Sequence, residues 1–281
     1  MQVRLFSLLM LLFLAWPLWA QKAGALPESR PDSTRFTRYQ VMSLGASRPL
    51  LRDQAISPLR YSGWGGMVSA QSWWEKPNII KQIVLKGGGA LMSNEANGNG
   101  LTLLHVELHY HYYRKVKSYS DDRLRLFAGG GADAWMYFKF LSLNVNNGIG
   151  YDIGGSLKGS GLLQYDFTFL KKKFTLTEQL SVPFVAVVAR PPFSWPDPYD
   201  AYEPGGSWTS AIRIHSFGNY LRFQNRLTLD WFPTERKRRR ARHHIASNWR
   251  LTYEWDYMEI NRPNESKMGV PALLLGRVVK F

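Results

Sequence analysis

The chain has 281 residues, with 36 Lys and Arg against 21 Asp and Glu, a formal net charge of +15 and aromatics at 14% of the total. It contains no cysteine, which excludes disulfides, thiolate metal sites and lipid attachment through an N-terminal cysteine. Beyond residue 20 no segment nears the ~18 uninterrupted apolar residues that a spanning helix needs, and mean hydropathy is −0.28, which leaves an exported globule or a strand-built barrel.

Residues 1–20 carry Arg4, the apolar run LFSLLMLLFLAW, Pro17 and a small residue at Ala20. A charged start, a short apolar stretch and a small-residue end make a signal peptide cleaved after Ala20. The stretch is too short for a membrane helix. Residues 21–35, polar and proline-containing, read as a disordered periplasmic leader. Export also removes nucleic acid as a partner for so basic a chain.

From residue 36 onward apolar and polar residues alternate with period two, which a helix does not produce. Turn signals divide the rest into strands near 36–46, 61–74, 78–91, 101–114, 123–138, 151–168, 174–188, 217–232, 244–259 and 268–281. Short connections at EKPN, KSYSDD and KKK alternate with longer ones, as the two sides of a bacterial barrel require. The strands are longer than the ~6 residues usual in a soluble sandwich. The expected fold is all-β: a closed antiparallel transmembrane β-barrel of about ten strands spanning 36–281, with eight or twelve as alternatives because the first and third strands alternate poorly. GWGG at 63, GGG at 87 and GGG at 129 fall inside strands, where they permit bends and close packing.

In LHVELHYHYYR, residues 104–114, the even positions Leu104, Val106, Leu108, Tyr110 and Tyr112 are apolar and end in aromatics, as at a membrane interface. His105, Glu107, His109 and His111 therefore face the lumen. Two readings compete for them: a metal site, or a hydrogen-bonded polar lining. Alternate strand residues stand ~6.6–7 Å apart, whereas zinc ligands each lie ~2.0–2.1 Å from the ion. A pair such as His109 and His111 could share an ion with help from a neighbouring strand; His105 and His111 could not. The polar lining is the favoured reading.

The segment 189–216 is the longest outer connection and holds Trp195, Asp197, Tyr199, Asp200, Tyr202, Glu203 and His215 among prolines. Rigid prolines presenting aromatics and acids suit capture of a glycan or protein, and loops this long tend to carry function. Asp and His there could also serve a hydrolase of lipid or peptide on the outer rim, as could His215 with Ser194 or Ser207, but no clear acid–base register accompanies them.

In YLRFQNRLTLDWF the charges fall on even positions, and the strand after 244 repeats this, so Arg222, Arg226, Asp230, Arg250, Glu254 and Asp256 line the lumen. In so narrow a barrel they should pair into a ladder that plugs it. The basic run Arg236–Arg242 lies between these strands on the periplasmic side, against anionic headgroups or an acidic partner. The terminal GRVVKF, with Phe281, Val279 and Gly276, resembles the signal read by the barrel assembly machinery, although Leu274 stands where a polar residue is usual.

PPFSWPDPYDAYE at 191–203, SFGNYLRFQNRLTLDW and the NVNNG loop resemble an uncharacterised outer-membrane β-barrel family of Bacteroidota, over most of the mature chain. That resemblance implies a barrel in the outer membrane of a Gram-negative bacterium and supplies no mechanism. No phosphate loop, dinucleotide fingerprint or zinc-protease helix occurs, so no cofactor is expected. The expected function is a non-enzymatic surface component that binds a ligand through its outer segment or passes a small solute, with the rim hydrolase as the alternative.

Overall fold

A computed structural model describes residues 36–120, 122–142, 148–170, 172–190, 212–231 and 247–280. In chain order the strands are β1 (Thr37–Ser47), β2 (Leu50–Asp53), β3 (Ser57–Lys76), β4 (Ile79–Ser93), β5 (Gly100–Tyr119), β6 (Leu124–Leu141), β7 (Ile149–Phe169), β8 (Lys172–Ala189), β9 (Ile212–Ser216), β10 (Tyr220–Trp231), β11 (Ser247–Ile260) and β12 (Ser266–Lys280). All pairings are antiparallel. β1 pairs with both β3 and β12, so the ten-stranded wall closes on itself.

Ten strands make the wall, and β2 and β9 are short additions to it. β2 takes up the line of β1 between β12 and β3. β9 extends the edge of β8 beyond β10. Both fall inside stretches expected from the sequence to be connections, 47–60 and 189–216; elements this short carry too little alternation to declare themselves. β5 also runs on to Tyr119, past the expected end at 114. The ends of the described chain, at residues 36 and 280, lie with the tight turns at one end of the barrel, as an even strand number requires.

Alternation sorts every wall strand into an inner and an outer face. On β5, Val106 is 54% exposed and its neighbour Glu107 only 3%. The outer belt is apolar, with Leu104, Leu108, Leu85, Leu180, Leu251 and Leu275 among its members. At the tight-turn end it finishes in aromatics: Trp231 stacks on Trp249, and Phe167 on Phe174. The poor alternation of the first and third expected strands, β1 and β4, has a physical cause. Gly45 and Gly88 occupy inner positions where a Cβ would stand 1.9 Å and 2.6 Å from the carbonyl oxygens of Leu273 and Gly66, so neighbouring backbone takes the place of a side chain.

The inner face fills in layers. Toward the end opposite the tight turns Leu51, Ile56, Leu101, Leu103, Trp135, Met258 and Met268 form an apolar plug. Toward the tight turns Trp73, Ile80, Tyr113, Phe127 and Leu162 form a second. Charged and polar side chains lie between the two. Because the plug is close-packed, removing a large member leaves a cavity. Trp135→Ala should lower the free energy of unfolding by about 3–5 kcal/mol, read as an earlier urea midpoint for loss of the folded, heat-modifiable form.

Candidate functional site in the barrel lumen

Strand register brings the lumen charges together. Arg226 lies directly opposite Glu254 and Asp230 opposite Arg250, so each cation meets a carboxylate on the adjacent strand. Arg226 Nε donates to Glu254 Oε1 at 2.7 Å, and Arg250 grips both oxygens of Asp230 at 2.7 Å. Arg222 reaches diagonally to Asp256, its Nε at 2.9 Å from Oδ1 and its Nη2 at 2.5 Å from Oδ2. These six residues thus pair as cation and carboxylate between β10 and β11.

The same groups also bond across the lumen. Arg222 Nη2 donates to Glu107 Oε2 at 2.5 Å, from β10 to β5. Lys86 on β4 stands 3.4 Å from Glu107, 3.3 Å from Glu254 and 3.5 Å from Asp256. Tyr137 donates to Glu107 Oε1 at 2.6 Å. On the β6–β7 side Asp133 accepts from Ser156 at 2.5 Å and from Lys158 at 3.2 Å, and Lys158 also donates to Gln224 at 2.9 Å. Each buried cation thus faces at least one carboxylate, which a charge removed from water requires.

The histidine row lies within this network, and all three rings are buried. His109 bonds through Nε2 to Glu107 at 2.9 Å and through Nδ1 to Lys158 at 3.0 Å. His111 meets the Tyr113 hydroxyl at 3.2 Å and Gln179 at 3.1 Å. Neither nitrogen of His105 has a hydrogen-bond partner among the described residues; its ring lies against Tyr137 and over Gly88, where a Cβ would come within 2.9 Å of it. Glu107 and His109 therefore come together, while His105 and His111 point to separate neighbours. Among the described residues no three metal-ligating side chains converge.

A small cavity of about 20 Å³ opens between Lys86, His109, His111, Gln179, Arg226 and Glu254. That is room for roughly one water, since a water needs at least ~10–15 Å³.

Nearer the end opposite the tight turns is a second ionic cluster that sequence reasoning missed. Lys139 and Arg190 each bridge Asp53 and Asp152, making a closed ring of two cations and two carboxylates, with Arg190 Nη1 at 3.2 Å from Asp152. Asp53 also caps Ala55 N–H at 3.0 Å. Lys139 and Asp152 do sit at inward parity in their strands, but Asp53 and Arg190 fall where connections were expected. Lys86 was missed too, next to the GGG run of β4 where side-chain alternation is hard to read.

Trp195, Asp197, Tyr199, Asp200, Tyr202 and Glu203 lie outside the described residues, as do Ser194, Ser207, Arg236–Arg242 and Phe281. His215 is described: it is buried on β9, opposite Ala186, and the charged groups acting on it are Arg213 and Arg262.

A family model described as "Protein of unknown function (DUF3316)" matches residues 5–256. The chain belongs to this family. The match takes in the strands that carry the lumen network, from β1 to Asp256 on β11. Among curated proteins none matches. Of solved structures, the translocator domain of the autotransporter NalP from Neisseria meningitidis is similar at 9% identity and a TM-score of 0.41, over 89% of this chain and 90% of that one. The transport unit of the autotransporter AIDA-I from Escherichia coli is similar at 8% identity and a TM-score of 0.38, over 92% of this chain and 93% of that one.

Arg222 is the cation on which this family member's lumen network leans most, because its loss leaves Glu107 and Asp256 sharing Lys86, at 3.4 and 3.5 Å, as their nearest cation. Arg222→Met should cost about 3–5 kcal/mol of stability, as when one partner of a buried ion pair is removed. Arg226→Met, at a site whose side chain is 13% exposed and which serves one carboxylate, should cost less. Urea unfolding of the two variants side by side checks the order.

Proposed function

We propose that the chain is an outer-membrane β-barrel with a solid, structural lumen, and that it works as a non-enzymatic surface component binding a ligand through its outer segment. The observation that carries this reading is the filled lumen: two apolar layers enclose an ion-paired network, and the cavity beside Lys86, His109 and Glu254 is about 20 Å³. A route for solute needs a continuous wet path. The closed wall with an apolar outer belt and terminal aromatics is what hydrocarbon demands of a strand-built protein.

Several placements belong to this reading. Residues 1–20 are a cleaved export signal, Phe281 is read by the assembly machinery, and Arg236–Arg242 rest against anionic headgroups or an acidic partner in the periplasm. The source is a Gram-negative bacterium of the Bacteroidota, on the strength of the loop resemblance. The rim hydrolase gains no support: His215 has two arginines beside it and no hydrogen bond from an acid or serine among the described residues.

Two measurements test the proposal. Folded protein in a planar bilayer should give no long-lived current steps, and porin-like steps would show that solute passage is its work. Because the chain has no cysteine of its own, single cysteines report sidedness. Tyr199→Cys should react with a membrane-impermeant maleimide on intact cells, and Arg239→Cys only after the outer membrane is permeabilised; the reverse pattern overturns the orientation.

A further inference from the structure

On β8 the buried side chains Thr177, Gln179 and Ser181 face the lumen, so Glu178 points outward. On β10 Arg222 and Thr228 are buried while Leu221 and Leu227 are exposed, so Asn225 points outward as well. The two meet on the outer surface, where Asn225 Nδ2 donates to Glu178 Oε1 at 3.2 Å. Their surroundings are apolar: Leu163 and Leu227 lie opposite Glu178, and Leu180 lies opposite Asn225.

Depth makes this pair unusual. Phe174 on the same strand pairs with Trp231 in the aromatic belt. From there to Glu178 the strand climbs roughly 10 Å, at ~3.3 Å per residue and a tilt of ~40°, well into an apolar band about 25 Å tall. Among the described residues Glu178 is the one acidic side chain on the outer face away from the strand ends. A carboxyl there is disfavoured by hydrocarbon and is tolerated where it meets a polar group.

The pair is also incomplete. Glu178 keeps a second carboxyl oxygen, and Asn225 a second N–H, without hydrogen-bond partners among the described residues. One patch therefore holds a spare donor beside a spare acceptor, and such a patch is complementary to itself. A two-fold axis along the membrane normal would set the spare N–H of Asn225 in each copy against the spare carboxyl oxygen of Glu178 in the other, with the flanking leucines packed around them. That is the geometry of an isologous contact.

We propose that this face of β8 and β10 is the contact between two copies of the chain, which form a dimer in the plane of the membrane. The proposal rests on the membrane placement above, and the two can fail separately. The test is oxidative crosslinking of single-cysteine variants in isolated outer membranes, where no native thiol interferes. Leu180→Cys, beside the pair, should give a disulfide-linked species of twice the monomer mass. Leu85→Cys, on the outer face of β4 across the barrel, should give none. Adding Glu178→Leu and Asn225→Leu to Leu180→Cys should cut the dimer by about tenfold, the effect of losing two membrane hydrogen bonds.

No dimer from Leu180→Cys, equal dimer from both positions, or an adduct of Leu180→Cys with a different polypeptide would each overturn the proposal. Those results leave the barrel in its membrane. Recovery of the chain outside the outer-membrane fraction would instead overturn the placement and the dimer together. If the triple variant fails to fold, the two single-cysteine variants still decide.

Discussion

Closure of the sheet between β1 and β12 is the constraint on which the rest of the structure depends. Nine consecutive residue pairs, from Tyr39 with Lys280 to Ser47 with Ala272, join the first wall strand to the last. Backbone groups in hydrocarbon have no water to turn to, so a wall left open there would expose a row of unpaired N–H and C=O groups. Closing it with ten strands also sets the bore, only slightly wider than that of an eight-stranded barrel whose own side chains nearly fill it. Side chains from opposite walls therefore meet. Arg222 touches Glu107 and Lys86 touches Glu254 because the bore is narrow, and a wider barrel would hold the same residues apart with water between them.

A narrow bore could have been filled with leucine throughout, and a well-packed apolar core is often as stable as a buried ion-pair network or more so. The inner charges answer a different requirement. An exported strand that is apolar on both faces would present a long apolar run and be read as a membrane helix on its way out of the cell. If the chain is exported as proposed, polar residues on the inner faces of strands such as β5, β10 and β11 keep those strands below that threshold, and the finished barrel must then neutralise them. The central network does so with Lys86, Lys158, Arg222 and Arg226 set against Glu107, Asp133, Glu254 and Asp256. The outer ring repeats the balance with Lys139 and Arg190 against Asp53 and Asp152. Because Lys86, Lys158 and Arg222 each reach more than one strand, a slip of one residue would turn charges toward lipid and break several pairs at once, which fixes the register.

The same alternation explains what the sequence reveals and what it withholds. Period two is a local property, so the ten wall strands and the faces of β5, β10 and β11 could be read without any structure. So could the cross-strand ladder, because β10 and β11 are neighbours in the chain. Contacts across the lumen depend on strand number and stagger, which no short stretch encodes, and so the bonds from Arg222 to Glu107 and from Lys86 to Glu254 were out of reach. The histidine row shows the boundary between the two. Its inward direction was legible, but its partners were not: His109 finds Lys158 on β7 and His111 finds Gln179 on β8. The outer ring was hidden for another reason, since Asp53 and Arg190 sit just where strand alternation gives way to connections.

The position of that ring bears on how the outer surface is held. Asp53 belongs to β2, in the stretch between β1 and β3, and Arg190 is the last described residue before the long outer segment. By binding both, Lys139 and Asp152 tie two connections at the end opposite the tight turns to the β6 and β7 walls through charge-assisted bonds that are almost fully buried. Below them Ile56 packs into the apolar plug, against the place where a Cβ on Gly150 would stand. A binding segment that leaves the barrel from a fixed point has less freedom to lose when it closes on a ligand than one hung from a loose hinge. In the proposed reading the filled lumen is thus more than a closed pore: it is the footing from which a small barrel would present its longest connection.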